Sequence, residues 1–194
     1  MPYAQGLMEQ LIASCGRCHV VDKPFVKHKV YSWLPSKVEV LAVGESPPPE
    51  RKDNVFYNLK LFDRLRLSMK LILNIEDDRD VLRQLKKSST FLTAAVKCRP
   101  PSLKDLQSMR RNCAYTLREE LKLLKPESVV AMGTTASASI AEILGLKPPQ
   151  RLDGVFQVEA GSLKVAFTPH PNYIFRFRRD LAPKLRALLL QAHK

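Results

Sequence analysis

The stretch Val38-Glu39-Val40-Leu41-Ala42-Val43-Gly44-Glu45-Ser46-Pro47-Pro48-Pro49 decides the fold. Its opening run, Val38–Val43, is nearly continuous in apolar residues, with Glu39 the exception, and too short for a helix. Such a run reads as a strand covered on both faces, the kind found in parallel sheets. It stops at Gly44, and the three prolines that follow have no N–H to give to a ladder or a helix. Three more runs share the pattern: Phe91–Val96, Ser128–Met132 and Lys164–Thr168. Helical periodicity fills the gaps, so strands and helices alternate. The expected fold is an α/β, three-layer α/β/α sandwich around a four-stranded, mostly parallel sheet, built as a single domain over residues 1–194.

Among the helices, 104–125 is the most legible. Leu106, Met109, Cys113, Leu117, Leu121 and Leu124 recur at spacings of three and four, placing Cys113 on the inner stripe. A short helix is expected over 4–13, leading into Cys15. Another follows Gly133, with Thr134 and Thr135 as candidate caps. A last one runs through Leu181, Leu185, Leu188 and Leu189.

The balance of charge is basic, 32 Lys and Arg against 19 Asp and Glu, a net +13. A polyanionic partner is expected, nucleic acid first, and not a membrane. With 45% apolar residues the 194-residue chain can bury a core. No stretch approaches the ~20 apolar residues of a membrane span, and the N-terminus lacks the charged-then-apolar order of a secretory signal. A cytoplasmic monomer is expected, in a compartment where paired cysteines bind metal more often than they form disulfides.

All four cysteines fall into two pairs, Cys15-x2-Cys18 and Cys98-x14-Cys113. Four thiolates satisfy one cubane iron–sulfur cluster or one structural zinc, and the spacing alone leaves both open. Three strand ends also carry unusual chemistry: Gly44–Pro49, Lys97-Cys98-Arg99-Pro100-Pro101, and Thr168-Pro169-His170-Pro171-Asn172. In open parallel sheets ligands sit beyond the carboxyl ends of the strands. These loops are therefore expected to converge on one rim with a carboxylate, a histidine and several cations.

Together these residues resemble the iron–sulfur branch of the uracil-DNA glycosylase superfamily. Val96-Lys97-Cys98-Arg99-Pro100-Pro101 with Cys113 and the upstream pair is similar to that branch's cysteine pattern. Gly44-Glu45-Ser46-Pro47-Pro48 is similar to its first motif, His170-Pro171-Asn172 to its second, and Val129–Ala136 to its third strand and helix start. The resemblance implies hydrolysis of the N-glycosidic bond of uracil or another deaminated base in DNA. It implies a structural [4Fe-4S] cluster on Cys15, Cys18, Cys98 and Cys113, with zinc as the alternative.

Breaking that bond builds positive charge on the sugar and negative charge on the base, so the site needs an anion and hydrogen-bond donors. Glu45 is the candidate anion, orienting water or stabilising the sugar; it could instead pair with Arg51 or Lys52. His170 is the candidate donor to uracil O2. By resemblance Phe56 stacks on the extruded base, the Gly44 and Glu45 backbone lies beside it, and Ile174 or Phe175 fills the hole left in the duplex. Asn172, Arg176 and Arg178 would then hold DNA.

Two departures stand out. Ala94 occupies the position where the branch carries the asparagine that reads uracil, and a methyl group offers neither donor nor acceptor. Pro48 stands where a glycine is expected. Recognition could fall to Asn54, Asn58 or Asn172, or the pocket could take another damaged base such as a deaminated purine. A third outcome is a non-catalytic iron–sulfur DNA-binding protein.

Overall fold

The computed structural model describes residues 2–19, 22–49 and 53–190. In chain order the elements are α1 (Pro2–Ala13), α2 (Pro24–Lys27), β1 (Val40–Gly44), α3 (Arg64–Leu73), α4 (Val81–Lys87), β2 (Thr90–Ala94) and α5 (Leu106–Leu124). They continue with β3 (Ser128–Met132), α6 (Thr134–Leu144), β4 (Phe156–Ala160), β5 (Leu163–Thr168), α7 (Pro171–Phe177) and α8 (Ala182–Leu189). The sheet runs β2-β1-β3-β5-β4. Its first four members are mutually parallel and β4 is antiparallel to β5.

Both faces of the parallel strands are covered, which is why those runs carry little polar residue. Leu41, Val43, Phe91, Val129, Ala131, Val165 and Phe167 point to one side, against Met8 and Ile12 of α1, Leu117 and Leu121 of α5 and Ile140 of α6. The alternate residues Val40, Ala42, Leu92, Val130, Met132 and Ala166 point to the other side. There they meet Met69 and Ile72 of α3, Leu82 and Leu85 of α4 and Leu185 and Leu189 of α8. Period-two alternation thus feeds two separate apolar layers.

Among the described residues the sheet has five strands where four were expected. Phe156 and Val158 are more than a third exposed, so β4 is an edge ribbon that the search for buried runs passes over. Its signal was a hairpin: Phe-Gln-Val-Glu-Ala alternates, and the two-residue turn Gly161-Ser162 leads straight into β5. Gly161 has φ +63°, and a positive φ at the first central position is what such a turn demands. The helix expected over 104–125 starts slightly later, because Ser102 and Asp105 cap each other's backbone around a 3-10 turn at Leu103–Asp105. No helix among the described residues is long and apolar enough to cross a membrane.

Going from β1 to β2 the chain moves one way across the sheet, and from β2 to β3 it returns to the other side of β1. A crevice opens beyond the strand ends at such a reversal. The carboxyl ends of β1 and β3, carrying Gly44-Glu45 and Gly133-Thr134-Thr135, lie at that point.

Candidate active site

A cavity of about 500 Å³ occupies this crevice. Gly44, Glu45 and the prolines 47–49 line it from β1, Thr93 and Ala94 from β2, and His170 and Asn172 from the start of α7. Asn54, Val55, Phe56 and Tyr57 line it from the loop before α3, with Phe62 and Asp63. Seven of the sequence-derived candidates, Gly44, Glu45, Asn54, Phe56, Ala94, His170 and Asn172, therefore share one space.

Glu45 is anchored by Thr135, whose Oγ1 donates to Oε2 at 2.6 Å. The expected capping role of Thr135 is not what it does: Gly133 is the N-cap of α6 and no side chain caps that helix. Among the described residues Thr135 is the side chain that holds this carboxylate, through Oε2, and Oε1 carries no further hydrogen bond. Arg51 and Lys52, the alternative partners, lie outside the described residues.

His170 caps α7, its Nδ1 accepting from the backbone N–H of Asn172 at 3.1 Å. An acceptor at Nδ1 places the proton of the neutral ring on Nε2. Burial pushes the imidazole below its ordinary pKa of 6.5, and Glu45 opposes that shift without reversing it. The ring is thus a neutral N–H donor. Gly133 seats it: with φ +95°, a Cβ there would come 3.3 Å from the His170 Cβ. Only glycine allows both the backbone turn and that approach.

Phe56 is held from two sides. Arg66, 2% exposed, donates from Nη1 to the carbonyls of Phe56 (3.0 Å) and Asn58 (3.1 Å) and from Nη2 to Leu61 (2.5 Å), while Nε pairs with Asp78 at 2.7 Å. The Tyr57 hydroxyl donates to the Leu92 carbonyl on β2. The two rings meet edge-on at 5.3 Å. Sequence reasoning missed Arg66; its signal was a lone arginine on the apolar stripe of α3, between Asp63 and Met69.

The rim is less cationic than expected, because Lys97 and Arg99 turn inward. Lys97 Nζ, 1% exposed, donates to Glu120 (2.5 Å), Thr93 Oγ1 (2.5 Å) and the Ala94 carbonyl (2.7 Å). Glu120 also accepts from Tyr31 OH at 2.8 Å and Thr93 Oγ1 at 2.9 Å. A buried charge pair survives only when its lone pairs and protons are satisfied in this way. Arg99 pairs with Asp22 at 2.7 Å and donates to the Pro48 carbonyl at 2.6 Å, so the proline loop is tied to the segment after β2.

Other candidates stand elsewhere. Asn58 does not line the cavity: its amide donates to the Asp53 carbonyl and its Oδ1 accepts from Lys60 N, closing a local turn. Ile174 is fully buried within the α3/α8 layer. On α7, positions 171 and 174 face the core, whereas 173 and 177 face outward, so the exposed aromatics are Tyr173 and Phe177, ring centroids 5.3 Å apart. Phe175 is half-buried beneath the Arg179 guanidinium. Arg176 is exposed, and Arg178 is engaged with Asp180 and the Asp153 carbonyl.

The four cysteines are free and partly buried. Lys97 N donates to Cys113 Sγ at 3.4 Å, and Asn112 Nδ2 approaches Cys18 Sγ at 3.5 Å. Burial first, then Cys113, Cys15 and Cys18, push the Cys98 thiol up to about 12. The four sulfurs therefore belong to one region, and as a donor set they suit a group that takes thiolates. They are not drawn into a ligand shell: among the described residues no three His, Cys, Asp or Glu side chains form a group that could hold a metal ion.

Comparison with known proteins bears on this arrangement. A type-5 uracil-DNA glycosylase of Pyrobaculum aerophilum is 35% identical over 82 residues, which is 42% of this chain and 36% of that protein. The type-4 uracil-DNA glycosylase of the same organism is 22% identical over 188 residues, 90% of each chain. A crystal structure of the wild-type UNG from Nitratifractor salsuginis superposes with a TM-score of 0.50 at 14% identity, covering 87% of this chain and 78% of that one; this is a likeness of fold. The model describing the uracil DNA glycosylase superfamily matches residues 31–194, from Tyr31 of the buried charge network through the cavity walls carrying Glu45, Phe56, Ala94 and His170, and the chain belongs to that superfamily.

Proposed function

We propose that the chain is a monofunctional DNA glycosylase that hydrolyses the N-glycosidic bond of uracil or another deaminated base. The observation that carries this reading is the facing pair in the crevice: a carboxylate tethered by Thr135 and a neutral imidazole whose free nitrogen is a donor. As the bond lengthens, charge separates into a cationic sugar and an anionic base. Glu45 Oε1 stabilises the sugar or orients the attacking water, and His170 Nε2–H donates to the base oxygen. Phe56 supplies a face for stacking once the nucleotide is extruded. In this reading water is the nucleophile and no Schiff base forms; no lysine lines the cavity among the described residues.

On the outside, Arg176 offers a charge for backbone phosphates, and the Tyr173–Phe177 pair offers the apolar surface that fills a vacated base step. Cys15, Cys18, Cys98 and Cys113 would hold a [4Fe-4S] cluster. Its contribution when bound is structural, tying the end of α1 to the segment after β2 and to α5, since the hydrolysis moves no electrons.

Oligonucleotides containing uracil, hypoxanthine or xanthine, treated with the protein and then with alkali, test the reading. Strand scission on at least one substrate is expected, falling at least about 100-fold in Glu45→Gln and in His170→Ala. Absence of scission on all three, with intact DNA binding, overturns it. That outcome favours a non-catalytic DNA-binding protein, the reading that Ala94 on the cavity wall supports.

A further inference from the structure

The cavity has lost an amide at position 94, yet another amide lines it with its orientation already set. Most polar side chains there are engaged. Glu45 is tethered to Thr135, Thr93 is spent on Glu120 and Lys97, and Asp63 caps α3 through the backbone N–H of Arg66. Two amides remain, Asn54 and Asn172. Asn54 has no hydrogen bond fixing it among the described residues. Asn172 does: Ser68 Oγ donates to its Oδ1 at 2.8 Å. Ser68 is 1% exposed on α3, so this anchor is a buried group on a regular helix.

With Oδ1 turned toward the Ser68 hydroxyl, Asn172 keeps both protons of Nδ2 to offer. Its backbone N–H binds His170 Nδ1, so the amide and the imidazole donor are set in one frame by a single turn of chain. We infer that Asn172, oriented by Ser68, is the residue that reads an exocyclic keto oxygen of the extruded base. The inference rests on the glycosylase reading and narrows its substrate class. An amide that turns its N–H donors to the base accepts a base bearing a carbonyl where its parent bears an amine: uracil against cytosine, hypoxanthine against adenine. The amino bases present a donor to a donor and leave both unpaired in a water-poor pocket, which is where discrimination is largest. Asn172 would be a specificity residue and Ser68 a positioning residue.

The test compares wild type, Asn172→Leu, Asn172→Asp and Ser68→Ala on single-stranded oligonucleotides carrying uracil, hypoxanthine, cytosine or adenine. Binding of the four free bases is followed in parallel by chemical-shift perturbation. In Asn172→Leu, kcat/KM on uracil and hypoxanthine should fall by roughly 10–100-fold, the range for a hydrogen bond to a developing charge. The thermal midpoint should hold. Asn172→Asp, which still accepts from Ser68 but turns a second acceptor into the cavity, should shift the keto-over-amino ratio toward cytosine. Ser68→Ala should lose a smaller part of the same ratio, roughly 3–10-fold. An unchanged ratio in Asn172→Leu overturns the inference while leaving the glycosylase reading standing. No base release by wild type, with Asn172-dependent preference for free keto bases, sinks the glycosylase reading and keeps the recognition. Neither release nor preference sinks both.

Discussion

His170 gives the residue scale its clearest pH consequence. Its imidazole titrates below 6.5 in the folded chain because burial disfavours the charged form. The neutral donor therefore persists as pH falls through the range in which an exposed histidine would already be half protonated. Base release should hold level down through pH 6.5 and decline only at lower pH, in a kcat/KM profile taken on a single-stranded substrate. Stability follows the same sign. The unfolded chain takes up the proton first, so the contribution of His170 is whole above 6.5 and is lost as pH falls toward the lowered folded value. His170→Gln should flatten both limbs, the rate profile and the acid side of the denaturation midpoint. Residue types and their offsets after each strand pointed to Glu45 and His170, and the family resemblance to Phe56, and all three line the cavity. The direction in which each side chain turns was not. Ile174 and Tyr173 are adjacent and similarly apolar, and only the register of α7 decides that one enters the core and the other meets solvent.

At the scale of elements, the short buried runs were legible because β1, β2, β3 and β5 are sealed on both sides, and β3 has the expected bounds while α6 follows Gly133 as expected. The edge strand β4 was not, since half its residues face water and its pattern is a hairpin's. The loop before α3 was also illegible: irregular backbone has no period, and what shapes it is one arginine read out of context. Arg66 closes that loop through three carbonyls and an aspartate. Arg66→Lys keeps the charge but cannot fork across those acceptors. We expect a loss of roughly 3 kcal/mol in chemical denaturation, from stranded carbonyls and a half-buried Asp78. We also expect a KM on damaged DNA raised more than kcat is lowered, as Phe56 loses its fixed place. A variant with unchanged KM would show that the stacking face is held by Tyr57 alone.

For the whole molecule, the thiols are the question that the sequence raised and the fold only partly answers. Count and spacing raised the expectation that the four cysteines share one centre; the fold brings them into one region without a closed ligand shell among the described residues. Ligand geometry depends on the group being present, so neither sequence period nor packing could supply it. Protein isolated without oxygen should contain iron and acid-labile sulfide in equal amounts and absorb visible light. Cys98→Ser should lose both and melt at a lower temperature. A colourless protein carrying one zinc per chain would replace the cluster with a zinc site.

The Lys97–Glu120 pair gives that region its reach. Lys97 precedes Cys98 directly, and its ammonium grips the carbonyl of Ala94 on the cavity wall. A buried cation has no tolerable resting place apart from its partners, so the thiol segment and the wall cannot be displaced independently. Oxidative damage at the sulfurs would therefore be transmitted as a distortion of the cavity, and under the proposed function selection of the base would suffer before the hold on DNA.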